Sequence, residues 1–342
     1  MTSSLNSPQT PHTPLLQVKN LKTYFPVKKG LLGREVARVH AVDDVSFTLN
    51  AGETLGLVGE SGCGKSTLGR SLIQLDRPTS GEVFFEGQKI NDLDFASLKK
   101  VRAGLQMIFQ DPFSSLDPRM SVERIISEPL RLHRIGDKKS QTVIVKDLLK
   151  KVGLPESALN RYPHEFSGGQ RQRIGIARSL ALRPKLIIAD EPVAALDVSV
   201  QAQVLNLLSD LKKEFGLTMV FISHDLGVIK YFCDRIAVMY LGKIVEFAGS
   251  DDLYKNQVHP YTRALFSAIP LPDPTAKLER IILKGDVPSP IHPPSGCRFH
   301  TRCPFVTDIC KTVVPDLVEV KPGHFAACHH KEQFLNQKGA PA

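Results

Sequence analysis

The first segment with recognisable chemistry is a glycine-rich run between a predicted strand, ETLGLV at 53–58, and a predicted helix that begins near residue 67. Glycines let the backbone curl until its N–H groups converge on phosphate oxygens, and the following helix N-terminus favours anions. The spacing matches GxxxxGK[ST], and the strand–loop–helix order is the context that this pattern requires. The predicted phosphate-binding residues are Gly59, Glu60, Ser61, Gly62, Cys63, Gly64, Lys65, Ser66 and Thr67.

Three side chains of this loop have predicted properties. Lys65 should reach the β- and γ-phosphates of a nucleotide, and Ser66 should ligate Mg²⁺. Cys63 lies at the start of the helix, where the dipole favours a thiolate. We therefore expect maleimide to modify Cys63 and block the phosphates, and Mg-ATP to protect it.

A second apolar strand, LIIAD at 186–190, ends in two adjacent carboxylates. Ligands of parallel α/β sheets bind at the C-terminal ends of the strands, so both carboxylates should face the phosphate loop. Asp190 is predicted to hold Mg²⁺, directly or through water, and Glu191 to accept a proton from the attacking water. The two motifs in this order predict a nucleotide-hydrolysing site.

A third motif, FSGGQ, opens a predicted helix and offers a second set of free backbone N–H groups. It resembles the signature motif of the ABC ATPase family, which usually begins with Leu. Phe166 keeps that position apolar. In the family, this motif closes over the nucleotide held by the opposite subunit, so the resemblance implies a dimer. The corresponding residues here are Ser167, Gly168, Gly169 and Gln170.

The same resemblance implies roles for four further residues. Gln110 would sense the γ-phosphate and Mg²⁺, Asp197 would cross the dimer interface, and His224 would bond the γ-phosphate and position the water. Phe25 is the implied ring for stacking on adenine, with Tyr24 as the alternative.

The elements that must position these residues alternate between strand and helix, which predicts a largely parallel sheet flanked by helices. Strands are predicted at 15–18 and 36–49 with KKGLLGR as the connecting loop, and RIAVMY and KIVEFAG are predicted to close the sheet. The family resemblance implies an α/β fold: a P-loop RecA-like core with an antiparallel β layer and an inserted helical subdomain. We predict an ABC nucleotide-binding domain at 1–255, with the helical subdomain at about 111–179, and a loop-rich, cysteine-containing C-terminal extension at 256–342.

Four of the six cysteines lie in this extension, at Cys297, Cys303, Cys310 and Cys328. Such a cluster suggests metal rather than disulfides in a cytosolic chain. Wide gaps without a CxxC knuckle favour a [4Fe–4S] cluster over Zn²⁺, and unliganded thiols remain a third reading. We expect a structural role for any bound metal.

The extension also resembles the tails of oligopeptide and dipeptide importer ATPases, through HPYTR, DVPSPIHPPSGC and RCP. The resemblance implies an F-subunit type of ATPase with a paralogous ATPase subunit, two membrane permeases and an extracytoplasmic peptide-binding protein. It places the chain peripherally at the cytoplasmic face of the inner membrane, with the segment from Asp111 to Met120 in the groove that receives a permease helix. Importers of nickel or another small solute share much of this pattern and stay possible.

Bulk properties narrow the alternatives. No apolar run reaches the roughly 18 residues that span a bilayer, and the polar, Pro-rich start lacks a signal-peptide core. The net charge is +9, with basic residues clustered before residue 40, but no aromatic-rich basic repeat suggests a nucleic-acid groove. A soluble ABC ATPase acting on DNA or ribosomes should carry a coiled-coil insertion or a second cassette, and neither is visible. In a redox or metal sensor, the cysteine tail would determine the function and ATP would be secondary.

Overall fold

The computed structural model describes residues 13–30, 33–111, 113–269 and 280–335. Parts of four predicted segments lie outside these ranges: the polar N-terminus, the tip of KKGLLGR, Pro112 in the segment implied to meet a permease, and two stretches of the C-terminal extension.

The strands, in chain order, are β1 (Leu16–Lys29), β2 (Arg34–Leu49), β3 (Thr54–Val58), β4 (Ser80–Phe85), β5 (Gln88–Lys89), β6 (Leu105–Ile108), β7 (Leu186–Asp190), β8 (Thr218–Ile222), β9 (Arg235–Tyr240), β10 (Lys243–Gly249), β11 (Val318–Lys321) and β12 (His324–Ala326). The α-helices are α1 (Lys65–Leu72), α2 (Phe95–Arg102), α3 (Val122–Leu132), α4 (Lys138–Lys151), α5 (Gly168–Leu180), α6 (Val198–Phe215), α7 (Leu226–Phe232), α8 (Ser250–Lys255), α9 (Pro260–Phe266), α10 (Asp308–Thr312) and α11 (Lys331–Leu335). None of them, within the described ranges, is long and apolar enough to cross a bilayer.

Two sheets form the core. The first is antiparallel, with strand order β2-β1-β4-β5, and the second has the order β11-β12-β10-β9-β3-β8-β7-β6. In the second sheet β9, β3, β8, β7 and β6 run parallel, so their C-terminal ends meet at one edge. Strands β3, β7 and β8 are buried at every residue, as expected for a sheet covered on both faces. These observations confirm the predicted α/β class with an antiparallel layer.

Helices replace strands between β6 and β7, as predicted for the inserted subdomain. Helices α3, α4 and α5 pack on one another, and short 3-10 turns at Glu156–Asn160 and Pro163–Glu165 lead into α5. Side chains begin each helix: Ser121 accepts from the amide of Arg124, and Asp137 accepts from that of Ser140. Their apolar faces join one core with the parallel strands.

The described part of the C-terminal extension is rich in loops, as expected, but it also adds two short strands to the second sheet. Strand β12 pairs antiparallel with β10, and β11 pairs with β12, so KIVEFAG does not close the sheet as predicted. A buried network holds this addition: the His324 ring lies 2.8 Å from Glu246 and 2.6 Å from Asp252. Glu246 also accepts from the amides of Val258 and His259, which joins β10, β12 and the start of α9.

Candidate nucleotide site

The phosphate loop spans the turn from β3 to α1. Gly59 has φ +151° and Gly64 has φ +107°, and a Cβ at either position would overlap a backbone carbonyl oxygen, of Met239 or of Ala41 respectively. Only glycine fits both places. The Lys65 ammonium donates to the carbonyls of Gly59 (2.8 Å) and Glu60 (3.1 Å), so the lysine points into the curl of its own loop.

Two of the three predicted Mg²⁺ residues, Ser66 and Asp190, lie side by side. Ser66 Oγ donates to Asp190 Oδ1 at 2.8 Å, across 124 residues of sequence. Strand β8 lies between β3 and β7 and brings the two motifs to the same edge of the sheet. Burial raises the pKa of Asp190, an effect that the Ser66 hydrogen bond partly offsets. A hydroxyl and a carboxylate are donors of the kind that Mg²⁺ takes beside phosphates, so this pair fits the ion.

The three predicted catalytic side chains converge on one oxygen atom. Gln110 Nε2 donates to Glu191 Oε2 at 2.9 Å, and His224 Nδ1 lies 3.4 Å from the same oxygen. They follow the adjacent strands β6, β7 and β8. Glu191 has φ +43°, an uncommon conformation for a non-glycine residue and one that clusters at functional sites. The structure thus assembles a carboxylate, an amide and an imidazole next to the Ser66–Asp190 pair.

The FSGGQ motif caps α5. Ser167 Oγ accepts from the amide of Gln170 (3.3 Å), and the Gln170 side chain accepts from the amide of Ser167 (3.1 Å), a capping box. A Cβ at Gly169 would lie 2.3 Å from a side-chain methyl of Val200 in α6, so a larger residue there would displace the valine. Among the described residues, no hydrogen bond or ion pair joins this motif to the phosphate loop of the same chain.

Asp197 has a local role in the isolated chain. It begins α6 by accepting from the amide of Val200 at 3.1 Å. Its role across a dimer interface stays a prediction.

The two aromatic candidates for adenine stacking have different surroundings. The Tyr24 hydroxyl donates to Asp43, and its ring lies 4.2 Å from that of His40, centroid to centroid. Phe25 is exposed on β1, with 37% of its surface accessible. Only Phe25 is therefore free to meet a planar ligand.

The expectation for Cys63 is wrong. Its side chain is 3% exposed, and burial raises the pKa of the thiol, an effect that the nearby Lys65 charge reduces. The helix N-terminus does not produce a thiolate because the side chain turns inward under the loop. The Cys63 amide donates to the Glu60 carbonyl at 3.3 Å, and its carbonyl accepts from the Gly242 amide at 2.9 Å.

The four tail cysteines lie in one neighbourhood. The amide of Cys297 donates to the carbonyl of Cys310 at 2.8 Å. Burial, with a smaller contribution from the other three thiols, raises the pKa of Cys328 to about 12. In the described part of the chain, no group of three or more His, Cys, Asp or Glu side chains is placed to hold a metal ion. Neither the iron–sulfur nor the zinc prediction gains support from this arrangement.

Two residues at the phosphate loop were missed by sequence reasoning. The Arg302 guanidinium binds the Glu60 carboxylate through two contacts, at 2.8 and 3.2 Å, and the Tyr261 hydroxyl accepts from the Glu60 amide at 2.8 Å. Both residues belong to the C-terminal extension, at positions 201 and 242 residues from Glu60. No local pattern could have linked them to the loop.

Comparison with known proteins identifies relatives along most of the chain. A model of the ABC transporter family matches residues 42–194, and a model of the oligopeptide/dipeptide transporter C-terminal region matches residues 245–310. The chain is 55% identical over 318 residues to the oligopeptide transport ATP-binding protein AppF of Bacillus subtilis, covering 92% of this chain and 97% of that relative. It is 54% identical over 316 residues to a putative peptide import ATP-binding protein of Brucella ovis, covering 92% and 98%.

Solved structures agree on the fold. The dimeric ATP-binding cassette MJ0796, in a post-hydrolysis state bound to ADP and Pi, has a TM-score of 0.61 at 31% identity and covers 69% of this chain and 98% of that chain. The cbiO1 protein of Clostridium perfringens, part of the transporter complex cbiONQ, has a TM-score of 0.60 at 27% identity and covers 70% and 90%.

Proposed function

Since this chain belongs to the family of ABC transporter ATP-binding proteins with the oligopeptide/dipeptide C-terminal region, we propose that it hydrolyses ATP to power the import of di- or oligopeptides. The observation that carries the proposal is 55% identity with an oligopeptide transport ATP-binding protein over 92% of this chain, which includes the tail as well as the cassette. The proposed domain division, at residues 255 and 256, separates the ATPase body from that tail.

The geometry supports a direct route to hydrolysis. The loop amides and Lys65 would hold the β- and γ-phosphates, while Ser66 and Asp190, with help from Gln110, would hold Mg²⁺. The metal ion, when bound, neutralises charge on the phosphates. Glu191, oriented by Gln110, accepts the proton of the attacking water, and His224 bonds the γ-phosphate.

Phe25 completes the proposed nucleotide site by stacking on adenine. Phe25→Ala should weaken binding of ATP and of GTP, whereas Tyr24→Phe, which keeps the ring, should not. Equal affinities in Phe25→Ala and wild type would exclude the stacking role.

The chain carries both a phosphate loop and an FSGGQ motif, but among the described residues no hydrogen bond or ion pair joins the two. We propose that Ser167, Gly168, Gly169 and Gln170 close on the ATP held by a second ATPase subunit, with Asp197 at the contact. A paralogous subunit is the proposed partner, and a second copy of this chain is the alternative. Native mass spectrometry of the purified complex distinguishes one kind of ATPase chain from two.

A groove beside the nucleotide site could receive a permease. The cavity, of about 490 Å³, is lined by Leu75, Met107, Phe109 and Ser114 among others. Phe113 is 56% exposed, with the Arg171 guanidinium 4.2 Å from the centre of its ring. Because this segment directly follows Gln110, a shift at the γ-phosphate can reach it. We propose that one of the two permeases of the complex docks here at the cytoplasmic face of the membrane, and that an extracytoplasmic protein delivers the peptide.

Substitutions in the segment that follows Gln110 and borders this groove test the docking. Arg119→Glu and Phe113→Ala should uncouple peptide uptake from ATP hydrolysis in the assembled transporter. Val143→Ala, on an exposed part of α4, is the control. Unchanged peptide uptake in both Arg119→Glu and Phe113→Ala would refute the docking site.

For the tail we propose a structural [4Fe–4S] cluster on Cys297, Cys303, Cys310 and Cys328, with Zn²⁺ as the alternative. The donors fit in kind, since thiolates bind both, but the described positions do not gather three of them around one ion. Protein purified without oxygen should be brown and contain about four irons per chain. Stoichiometric zinc in colourless protein would favour the alternative, and metal-free protein with a protease-resistant tail would remove both.

The function itself is tested in reconstituted vesicles. The chain, co-purified with its permeases and binding protein, should take up a labelled di- or oligopeptide only with ATP. Uptake of Ni²⁺ or another small solute instead of peptide would replace the substrate assignment. Failure to co-purify with any membrane protein would favour a soluble ATPase.

A further inference from the structure

The C-terminal extension contacts the phosphate loop directly at one point and indirectly, through the β9–β10 turn, at another. At the first, Arg302 forms the two-pronged ion pair with Glu60, and Tyr261 accepts from the Glu60 amide. At the second, the amide of Gly242, in the turn between β9 and β10, donates to the Cys63 carbonyl at 2.9 Å, and Arg298 of the extension donates to the carbonyl of the adjacent Leu241.

These contacts are well fixed. The Arg302 side chain is 9% exposed, and Tyr261 is fully buried. Tyr261, Tyr240 and Phe299 pack their rings with centroids 4.7 to 5.5 Å apart. Phe299 lies between the two arginines in sequence, so one short segment, 298–302, carries both contacts. A planar guanidinium bound through two hydrogen bonds also fixes the orientation of its partner.

The position and charge of Glu60 both affect the phosphate site. Its carbonyl is one of the two that Lys65 contacts, so fixing the Glu60 amide and side chain also fixes the lysine that must meet the phosphates. Its carboxylate would repel a triphosphate unless a cation neutralised it. Arg302 supplies that cation from outside the loop.

We propose that Arg302 and Tyr261 are positioning residues of the ATP site. Through them the C-terminal extension fixes the conformation of the phosphate loop and neutralises the Glu60 carboxylate before the nucleotide binds. The extension therefore acts on ATP affinity in addition to packing on the cassette. This inference concerns ATP binding and does not depend on which solute the transporter carries.

The test measures the affinity of the full-length chain for fluorescent methylanthraniloyl-ATP with Mg²⁺, and KM and kcat of the assembled transporter. Arg302→Gln should weaken ATP binding about tenfold, within the usual range for coupling between sites. KM should rise by a similar factor while kcat changes less than about threefold, because Glu191 and its partners are untouched. Tyr261→Phe, which loses only the hydroxyl, should act in the same direction.

A double substitution separates positioning from general stability. If Arg302 acts through Glu60, then Arg302→Gln should cost much less in a Glu60→Gln background, because no carboxylate is left unpaired. Lys311→Gln, which removes a surface cation of the same extension, is the matched control and should leave affinity within about twofold, since its exposed ion pair with Asp308 contributes little.

Three results would overturn the proposal: unchanged affinity in folded Arg302→Gln, a lower melting temperature with unchanged affinity, or an equal loss in both backgrounds. If Arg302→Gln fails to fold, Arg302→Lys keeps the charge but loses the two-pronged geometry. That variant should weaken binding by a smaller factor, and wild-type affinity in it would also count against the proposal.

Discussion

Glu191 is the proposed general base, and Glu191→Gln removes its basicity while keeping its shape. The glutamine oxygen can still accept from Gln110, which donates to the Glu191 carboxylate at 2.9 Å. Ser66, Asp190 and Lys65 do not contact the altered atom. Folding and ATP binding should therefore stay close to wild type, and the loss should fall on the chemical step.

Loss of a general base typically slows catalysis about 10²–10⁴-fold. At about 1.4 kcal/mol per tenfold, the barrier should rise by about 2.8–5.6 kcal/mol. The assay is single-turnover ATP hydrolysis in the assembled transporter, where product release does not limit the rate. Glu156→Gln, an exposed carboxylate paired with Lys146, is the control. Hydrolysis within about threefold of wild type in Glu191→Gln would refute the assignment.

Three other features give further expectations. Cys63 should react with N-ethylmaleimide at least about tenfold more slowly in the native chain than in urea, because it is buried with a raised thiol pKa; equal labelling by mass spectrometry would contradict this. Gly59→Ala should destabilise the chain by about 1–3 kcal/mol and weaken ATP binding, and wild-type calorimetric titration would exclude the overlap with Met239. Burial lowers the pKa of His324, but the hydrogen bonds and charges of Glu246 and Asp252 raise it further, for a net rise. Its stabilisation is thus complete below about pH 6.5 and is lost as pH rises through the folded-state pKa, so the stability gap to His324→Gln should shrink towards pH 9; a constant gap in urea titrations would contradict the sign.

The nucleotide site was predictable because its motifs are formed by residues close together in the sequence. Gly59 to Thr67 match a spacing fixed by backbone geometry, and Asp190 with Glu191 follow a fully buried strand. The structure then places Gln110 and His224 beside Glu191. The roles at the γ-phosphate that the family resemblance implied for them stay predictions.

The errors concern packing between distant segments. Cys63 was expected to be reactive because its position at a helix start is visible in sequence, whereas the burial that raises its pKa is tertiary. Strand β12 has only three residues, too few for an alternation pattern, and its partner β10 lies about 80 residues earlier. The Arg302–Glu60 pair spans 242 residues, and an arginine beside a cysteine gives no hint of such a partner.

The pairing of β12 on β10 also bears on solubility. Five of the seven residues of β10 are buried, and without the extension its backbone N–H and C=O groups on one side would face water. An open, apolar strand edge is a template for pairing with another chain. A cassette truncated after Lys255 should therefore aggregate although every catalytic residue is present. The extension thus protects the β10 edge from pairing with other chains, and a cassette for biochemical work should retain residues up to α11.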